Sequence, residues 1–548
     1  VENVEQQMFV LEDDKIVSKN IHYVPGLYKL FDEGIVNCRD HVIRMSKLIA
    51  DKTPGACPVT NIGVTIADDG TITMLNDGNG VDVEKHPEYD VWIPELIFGH
   101  LRTSTNYNKE EEKIVGGKNG FGFKLVLIWS ECGEVETVDH VRKLKYTQSF
   151  SENLDVIGVP TIVRSTVRPY TKVTFRPDYK RFYGSDGLPE DMVKLLRKRV
   201  YDIAAITDRS VKVKLDGQPV AVKSFLQYID LYGITVRVHE QANERWEYVV
   251  AVSPADEFTH VSFVNGIYTS KGGKHVDYIL NQITKKMIAY IEKKKKITVT
   301  STAVKEQLML FVRCDVVNPA FDSQTKDYLN TPVSKFGSSC VVSDKFIEKV
   351  AKLGVMESAC EITHVKDNRA AKKSDGKKSR TVRGIPKLID ANWAGTDKSS
   401  QCTIIFCEGD SAKAGIVSGL SSSDRNLFGV YPMKGKIMNV RGETTKKITD
   451  NKEIADIKKI LGLESGKDYK TIDHVNRSLR YGKVLFMTDQ DLDGSHIKGL
   501  GVNLFQTIWP SLTLIPGFIG FMNTPILKAR KGNQELLFYN TGEYDAWL

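Results

Sequence analysis

The chain has 548 residues and a net charge of +7, with 26% charged and 41% hydrophobic residues. This length predicts roughly three or four domains, and the composition is ordinary for a soluble globular protein. Neither an apolar run of about 18 residues nor a basic and then apolar leader is present, which argues against a membrane span and a secretory signal.

The cysteines are scattered along the chain and include no C-x-x-C pair. This pattern predicts reduced thiols in an intracellular protein, rather than disulfides or zinc ligands. The eight positions are Cys38, Cys57, Cys132, Cys314, Cys340, Cys360, Cys402 and Cys407.

A first unit is predicted over residues 1–213. Apolar residues recur at helical spacing from Gly26 to Ile49, which predicts one or two helices. Alternation of apolar and polar residues predicts strands at VTNIGVTI, TITMLN, KVTFRP and VKVKLDG. LVLIWS is predicted to be an apolar helix.

A second unit of strands and helices is predicted over residues 214–365. Its strands are VVAVSP, HVSFVNGIYTS and LMLFVRCDVV, and its most periodic helix is VDYILNQITKKMIAYIEKKKK. A shift to Lys, Arg, Gly, Ser and Asp predicts a basic linker over residues 366–400. A third unit follows over residues 401–520, with strands IIFCEG, GVYPMK and KVLFMTD between helices.

Glu33 and Asn37 are four residues apart, so they share one face of the first predicted helix. A carboxylate can take a proton from water, and a neighbouring amide oxygen can hold Mg²⁺ against phosphates. ATP hydrolysis needs both groups. E-x-x-x-N also occurs often by chance, so this pair indicates an ATPase only together with the motifs that follow it.

Two glycine-rich motifs follow this helix. In NDGNG, Asn76 ends a strand where the glycines allow a tight turn, and it can accept a hydrogen bond from adenine. In GGKNGFGFKL, the glycines precede a helix whose N–H groups and dipole favour phosphate. Lys124 is a further candidate for a phosphate contact.

Two apolar, β-branched runs of the third unit end in acidic turns. The first ends at Glu408, and the second leads into Asp489, Asp491 and Asp493. Four carboxylates at the carboxyl ends of two strands predict a Mg²⁺ site, because this hard cation prefers oxygen ligands and keeps several waters. Acidic turns are often merely solvated, but two such strands with adjacent glycines favour the metal.

These motifs occur in a fixed order along the chain. Glu33 and Asn37 are followed by NDGNG, TSTNYNKEEEKIVGGKNGFGFK, FDSQTK, EGDSAK, PMKGKIMNVR and TDQDLDGSHIKGL. In this order they resemble the motifs of eukaryotic-type DNA topoisomerase II, of type IIA. The resemblance implies an α/β multidomain fold: a GHKL (Bergerat) α/β sandwich ATPase, a ribosomal-S5-like transducer with a QTK loop, and a Rossmann-like TOPRIM domain.

The resemblance also implies the roles of residues at the nucleotide. Glu33 would be the general base, Asn37 the Mg²⁺ ligand, and Asn76 the residue that faces adenine. The QTK residues, Gln324, Thr325 and Lys326, would reach the γ-phosphate from the second unit. The remaining ribose and phosphate contacts would be Ser104, Thr105, Asn106, Gly117, Lys118, Asn119, Gly120, Phe121, Gly122, Phe123 and Lys124.

The third unit would carry the metal half of a DNA cleavage site. Its Mg²⁺ ligands would be Glu408, Asp489, Asp491 and Asp493. His496 either lies close to this site or packs within its helix. Basic runs beside a phosphate-handling metal site predict contacts to the DNA backbone. These cations are Lys293, Lys294, Lys295, Lys296, Lys434, Lys436 and Arg441.

The implied enzyme is an ATP-dependent homodimer that passes one DNA duplex through a transient double-strand break in another. It would lie in the nucleus if cellular, or in the host cell or its viral factory if encoded by a large DNA virus. Both ends of the chain look like cuts, and residues 521–548 would begin the connection to a winged-helix domain with the Arg-Tyr nucleophile. Weak ATP hydrolysis without DNA cleavage is therefore expected.

Three residues depart from the family pattern, and one of them is Thr105, which stands where Ser is usual. Gly34 stands where an apolar residue is usual, which costs about 0.5–1 kcal/mol of helix stability relative to Ala. Phe123 stands where a small residue is usual. We expect ATP binding to be retained with altered packing around the glycine-rich loop.

Three other interpretations fit less well. A GHKL chaperone or mismatch-repair ATPase would lack the acidic third unit, and a TOPRIM nuclease or primase would lack the Glu33 motif series. A silent DNA-clamping protein would not need every ATP and acidic position filled. Arg480 and Tyr481 resemble the missing nucleophile pair, but they lead directly into a strand and are not expected to act as one.

Overall fold

The computed structural model describes residues 3–100, 114–115, 122–255 and 257–548. The chain forms two compact units, Val1–Ala359 and Cys360–Leu548. All eight cysteines lie in the described part and are free thiols, as predicted. Among the described helices, none is both long and apolar enough to cross a membrane.

The described part of the first unit has two large sheets and two separate strand pairs, β1 with β2 and β16 with β18. Its strands are β1 (Val4–Glu12), β2 (Lys15–Tyr23), β3 (Asn61–Ile66), β4 (Ile72–Asp77), β5 (Ser130–Val138), β6 (Leu144–Ser151), β7 (Val156–Ile157), β8 (Thr161–Arg164), β9 (Tyr170–Pro177), β10 (Lys212–Leu215), β11 (Gln218–Pro219), β12 (Arg237–Asn243), β13 (Trp246–Val252), β14 (Thr259–Val264), β15 (Ile267–Tyr268), β16 (Gly272–Gly273), β17 (Leu308–Cys314) and β18 (Tyr328–Leu329).

The larger sheet has nine strands in the order β11, β10, β3, β4, β9, β5, β6 and β7, with β8 also paired to β6. The smaller sheet has five strands in the order β12, β13, β17, β14 and β15. Both sheets are mixed, because β3 is parallel to β10 and antiparallel to β4, and β14 is parallel to β17 and antiparallel to β15.

Helices cover these sheets. They are α1 (Pro25–Ala50), α2 (Ile93–Gly99), α3 (Gly122–Ile128), α4 (Tyr179–Tyr183), α5 (Glu190–Ile206), α6 (Phe225–Asp230), α7 (Lys274–Lys295), α8 (Ser301–Lys305) and α9 (Asp344–Val350). The predicted pattern from Gly26 to Ile49 is one continuous helix, α1. It begins at Pro25, whose fixed φ suits the first helical turn.

One apolar core joins the two sheets of the first unit. Phe31 and Ile35 of α1 belong to the same buried cluster as Phe263 of β14 and Phe311 of β17. Burial of apolar surface from both sheets in one core favours their association. The division predicted at residue 213 therefore lies within a single compact unit, and residues of the smaller sheet can reach the helix that carries Glu33.

Helix α10 (Met356–Lys373) leads into the second unit. Its other elements are β19 (Thr403–Glu408), α11 (Gly409–Gly419), α12 (Asp424–Leu427), β20 (Phe428–Met433), α13 (Thr445–Asp450), α14 (Lys452–Leu461), α15 (Ile472–Ser478), β21 (Lys483–Met487), α16 (Leu492–Ile508), α17 (Pro510–Thr513), β22 (Ile519–Met522), β23 (Leu527–Lys531), β24 (Gln534–Phe538) and α18 (Thr541–Trp547). A parallel sheet in the order β20, β19, β21 and β22 forms its centre.

The stretch predicted as a linker, residues 366–400, is folded into the second unit. Its first part is the end of α10, and Ala391 and Ala394 are buried in the core beside the parallel sheet. The buried Arg480 guanidinium donates to the carbonyl oxygen of Ser379 at 2.7 Å and pairs with Asp390. Charged residues in this stretch thus make internal contacts, which its composition alone did not predict.

Candidate functional site

Helix α1 presents the predicted nucleotide-site residues on one face. Glu33 is buried, at 6% exposure, whereas Asn37 is exposed between buried neighbours. Asn37 is thus the position of this face that a ligand from solvent can reach. His41, one further turn along, belongs to the same face by its i+4 spacing.

The Glu33 carboxylate is paired with two lysines. Its Oε1 atom lies 3.1 Å from Nζ of Lys29 on the same helix and 2.9 Å from Nζ of Lys326. Lys326 is buried and comes from the loop that follows β17, whereas Gln324 is exposed and Thr325 donates to Asp327 within the loop. Of the three QTK residues, Lys326 is the one that contacts the predicted base.

The NDGNG loop lies against α1 through His41. Its Nε2 donates to the carbonyl oxygen of Asn79 at 2.9 Å, and burial, followed by the charge of Arg44, lowers the pKa of His41 to about 4. Gly78 has φ +96°, and a Cβ atom there would lie 2.7 Å from the side chain of Val59 and 3.1 Å from His41. A neutral His41 therefore supports this glycine turn.

His41 was not predicted as a site residue from the sequence, although its position four residues after Asn37 places it on the same face of α1. Asn76, by contrast, was predicted and lies at the end of β4. Its side chain is buried and donates to the carbonyl oxygen of Asp77 at 3.1 Å.

The amino terminus of α3 contacts Glu33. A Cβ atom on Gly122 would lie 2.2 Å from Glu33 Oε2, so only glycine allows this approach. Lys124 is buried, which lowers its pKa. Phe123 packs edge-on against Phe98, with ring centroids 5.4 Å apart. The other predicted contacts lie outside the described residues; these are Ser104, Thr105, Asn106, Gly117, Lys118, Asn119, Gly120 and Phe121.

The two acidic turns of the second unit lie side by side, as predicted from the strand pattern. Strands β19 and β21 are parallel neighbours, with Cys407 paired to Met487, so the turns after them open at one edge of the sheet. Glu408 ends β19, while Asp489, Asp491 and Asp493 follow β21. This edge is where open α/β sheets bind ligands.

The acidic side chains at this edge act on one another electrostatically. Burial, and then the neighbouring carboxylates of Asp491, Asp489 and Asp493, raise the pKa of Glu408. Its Oε2 atom is buried and has no hydrogen-bond partner among the described residues. A divalent cation would relieve both conditions, so these oxygen donors fit Mg²⁺.

The four carboxylates do not all converge. Asp491 Oδ1 caps α16 by accepting from the Gly494 N–H at 2.6 Å, and Asp493 Oδ1 lies 2.9 Å from Lys436 Nζ. No three of these acidic side chains bring oxygens within 4.8 Å of one another. Such spacing suits Mg²⁺, which keeps several waters and takes one or two carboxylates directly.

A tighter group of possible metal ligands, Asp82, Asp139 and His140, occurs among the described residues of the first unit. Asp139 accepts hydrogen bonds from the N–H groups of Val83 and Val141 and pairs with Arg142. Its charge is already compensated within the protein. This group is therefore a structural turn.

The predicted DNA-contacting cations are on the surface. Lys293, Lys294 and Lys295 form the exposed last turn of α7, and Lys296 is its C-cap. The three cations predicted in the second unit follow β20 and are also exposed; they are Lys434, Lys436 and Arg441. His496 is exposed on α16 and acts electrostatically on Asp493, so it does not pack within its helix.

Tyr481 is unsuited to nucleophilic attack on DNA. Its ring is fully buried, its hydroxyl donates to Asp390, and the Ala391 N–H donates to it at 3.1 Å. This agrees with the expectation that Arg480 and Tyr481 do not form the nucleophile pair.

Comparisons with known proteins match both units. A DNA gyrase B family model matches residues 220–381, and a Toprim domain model matches residues 403–517. DNA topoisomerase 2 of Arabidopsis thaliana is 44% identical over all of this chain, and that of Acanthamoeba polyphaga mimivirus is 41% identical over 98% of it. The chain spans 37% and 42% of the lengths of these two relatives.

A solved structure adds a likeness in fold. The ATPase region of Saccharomyces cerevisiae topoisomerase II is 37% identical with a TM-score of 0.60, covering 66% of this chain and 93% of its own. Matches to ATPase and Toprim regions imply that the chain uses a nucleotide and a metal. Together with the α/β architecture of both units, they establish that the chain belongs to the type II DNA topoisomerase family.

Proposed function

We propose that the first unit hydrolyses ATP with Glu33 as the general base. The observation that carries this proposal is the 2.9 Å contact between Glu33 Oε1 and Lys326 Nζ, which joins the helix of the base to the QTK loop. Glu33 would take a proton from the attacking water while Asn37 holds Mg²⁺ against the phosphates. Lys326 would then contact the γ-phosphate and link hydrolysis to movement of the smaller sheet.

For the whole protein we propose ATP-dependent passage of one DNA duplex through another by a homodimer. The edge formed by Glu408, Asp489, Asp491 and Asp493 would hold Mg²⁺, which stabilises negative charge on the scissile phosphate and its leaving oxygen. The exposed Lys434, Lys436 and Arg441 would contact DNA phosphates beside this edge. Eukaryotic and viral relatives support action in a nucleus or in an infected cell.

ATP hydrolysis should respond to duplex DNA if both units serve one reaction. We expect steady-state hydrolysis by this chain to rise when duplex DNA is added at low salt. Replacing Lys293, Lys294, Lys295 and Lys296 by Ala should weaken DNA binding, and the salt slope should fall by about 1 for each phosphate that is no longer bound. Measurements are coupled-enzyme hydrolysis and fluorescence anisotropy over a salt series.

The control for this experiment replaces two exposed lysines elsewhere in the same unit, Lys345 and Lys349 of α9. Each of its substitutions removes one positive charge, as in the first variant, but the lysines at positions 293–296 of the α7 cluster are kept. Equal salt slopes in the two variants would contradict a specific DNA contact at α7. A rate of ATP hydrolysis that does not change on addition of DNA at any salt concentration would contradict the coupled reaction.

Asp491→Asn should weaken Mg²⁺ binding to the second unit by at least about 10- to 100-fold, the reduction produced even by outer-shell changes. Asn also serves as a helix N-cap, so the Gly494 contact and α16 should persist. Calorimetric Mg²⁺ titration of the chain checks this expectation. Asp82→Asn is the matched control, and unchanged affinity in Asp491→Asn would remove this residue from the site.

A further inference from the structure

Glu33 is held by one lysine from its own helix and one from the QTK loop. Both ammonium groups contact the same oxygen, Oε1, while Oε2 faces Gly122 of α3. Lys326 lies 293 residues away in sequence and belongs to a loop, whereas Lys29 lies one turn before Glu33. Only the Lys29 contact is thus built into the rigid helix that carries the base.

Lys29 is itself fixed by a second carboxylate. Its Nζ lies 3.0 Å from Asp32 Oδ2, and Asp32 Oδ1 accepts from Arg199 Nε at 2.7 Å. Burial would raise the pKa of Asp32, but Lys29 and Arg199 hold it far below its usual range. The ammonium group of Lys29 therefore lies between the carboxylates of Asp32 and Glu33, and both Lys29 and Asp32 are buried.

This ion-pair series continues to the smaller sheet. Arg199 of α5 is fully buried and donates through Nη2 to the carbonyl oxygen of Gly266, in the turn between β14 and β15. The series of alternating charge is Lys326, Glu33, Lys29, Asp32 and Arg199. One end of the series, Lys326, belongs to the QTK loop, and the other end, Arg199, contacts the β14–β15 turn.

We propose that Lys29 is a positioning residue for Glu33 during ATP hydrolysis, holding the carboxylate in place while Lys326 contacts the phosphate. This inference rests on the proposed role of Glu33 as the base. A buried carboxylate that loses a partner needs another, because an uncompensated buried charge is strongly unfavourable. Lys29 is the cation that stays within reach, and Arg199 keeps it there through Asp32.

The effect of removing the Lys29 cation follows from geometry. A misplacement of about 1 Å at a reacting group can lower a rate by about 100-fold. Lys29→Met keeps the length and apolar stem of the side chain but removes the cation. Turnover of bound ATP should therefore fall by at least about tenfold, with the affinity for ATP within about twofold of wild type, and Lys29→Arg should recover most of the turnover.

Four variants of the full 548-residue chain test the proposal: Lys29→Met, Lys29→Arg, Glu33→Gln and Lys194→Met. Lys194 is the matched control, because it also lies between two carboxylates, Glu12 and Glu190, but on the surface. Each variant is measured by single-turnover hydrolysis of prebound ATP, by ATP binding and by circular dichroism. Lys194→Met should match the wild type in all three.

The possible results separate the two proposals. If Lys29→Met turns over ATP like the wild type while Glu33→Gln is inactive, the positioning role of Lys29 is overturned. The role of Glu33 as the base is then kept. Wild-type turnover in Glu33→Gln would overturn the proposed function itself. If Lys29→Met loses its fold or its ATP binding and Lys29→Arg does not recover turnover, Lys29 is a structural residue and the inference is overturned.

Discussion

Glu33→Gln is expected to lower steady-state ATP hydrolysis by about 10²- to 10⁴-fold, the usual contribution of a general base. Glutamine has nearly the same volume, and its amide oxygen can still accept from Lys29 and Lys326. It cannot take a proton from water. ATP affinity should therefore stay close to that of the wild type, which binding of a fluorescent ATP analogue would measure beside the hydrolysis rate.

The first unit offers a matched control for this variant. Glu12 also lies between two lysines, with Lys19 Nζ at 3.3 Å and Lys194 Nζ at 2.9 Å, but it is partly exposed at the end of β1. Glu12→Gln removes a comparable pair of contacts and should leave hydrolysis unchanged. Equal activity of the two variants would mean that Glu33 serves only as an ion-pair partner.

Local spacing predicted those parts of the candidate sites that lie on one element or on adjacent strands. The i+4 step placed Glu33 and Asn37 on one helical face, and the apolar runs before Glu408 and Asp489 predicted two strands with acidic residues at their carboxyl ends. Both arrangements depend on the regular periods of helices and strands. They are present in the structure.

Contacts between distant segments could not be predicted in the same way. Lys326 reaches Glu33 across 293 residues because the two sheets share one core, and no spacing rule encodes that contact. Charged residues such as Lys29 and Asp32 would ordinarily favour a solvated face of α1, yet both are buried in ion pairs. Sequence shows the charge of such residues but not the partner that permits their burial.

The predicted linker shows the same difficulty in a longer segment. Its Lys and Arg content is typical of a solvated connection, but a few apolar residues, such as Ile385 and Ala394, are enough to anchor it in the second core. Arg480, from outside the stretch, adds polar contacts to Ser379 and Asp390. Composition is averaged over a window of residues, so it does not show the few buried residues and polar contacts that hold this segment in the second core.

Gly34 and Phe123, two of the departures from the family pattern, are close neighbours in space. A Cβ atom on Gly34 would lie 2.4 Å from Met74 Sδ and 3.4 Å from the Phe123 ring. The ring also packs edge-on against Phe98 and Phe175. The aromatic side chain and Met74 thus fill the volume that an apolar residue at position 34 would occupy.

Coupling between these two positions is therefore expected. Gly34→Leu should destabilise the first unit by about 1–3 kcal/mol through overpacking, since Met74 can yield only in part. Phe123→Ala should cost about 3 kcal/mol through the space it leaves. In the double variant the leucine takes that space, so its cost should be smaller than the sum by about 0.5–3 kcal/mol.

Hydrogen exchange of the α1 amides measures this coupling in the first unit alone. Gly499→Leu is the control, because a Cβ atom at this helical glycine of α16 meets open space. Additive destabilisation in the double variant would contradict direct packing between the two positions. Since α3 also holds Gly122 against Glu33, a double variant that regains stability should regain ATP turnover as well.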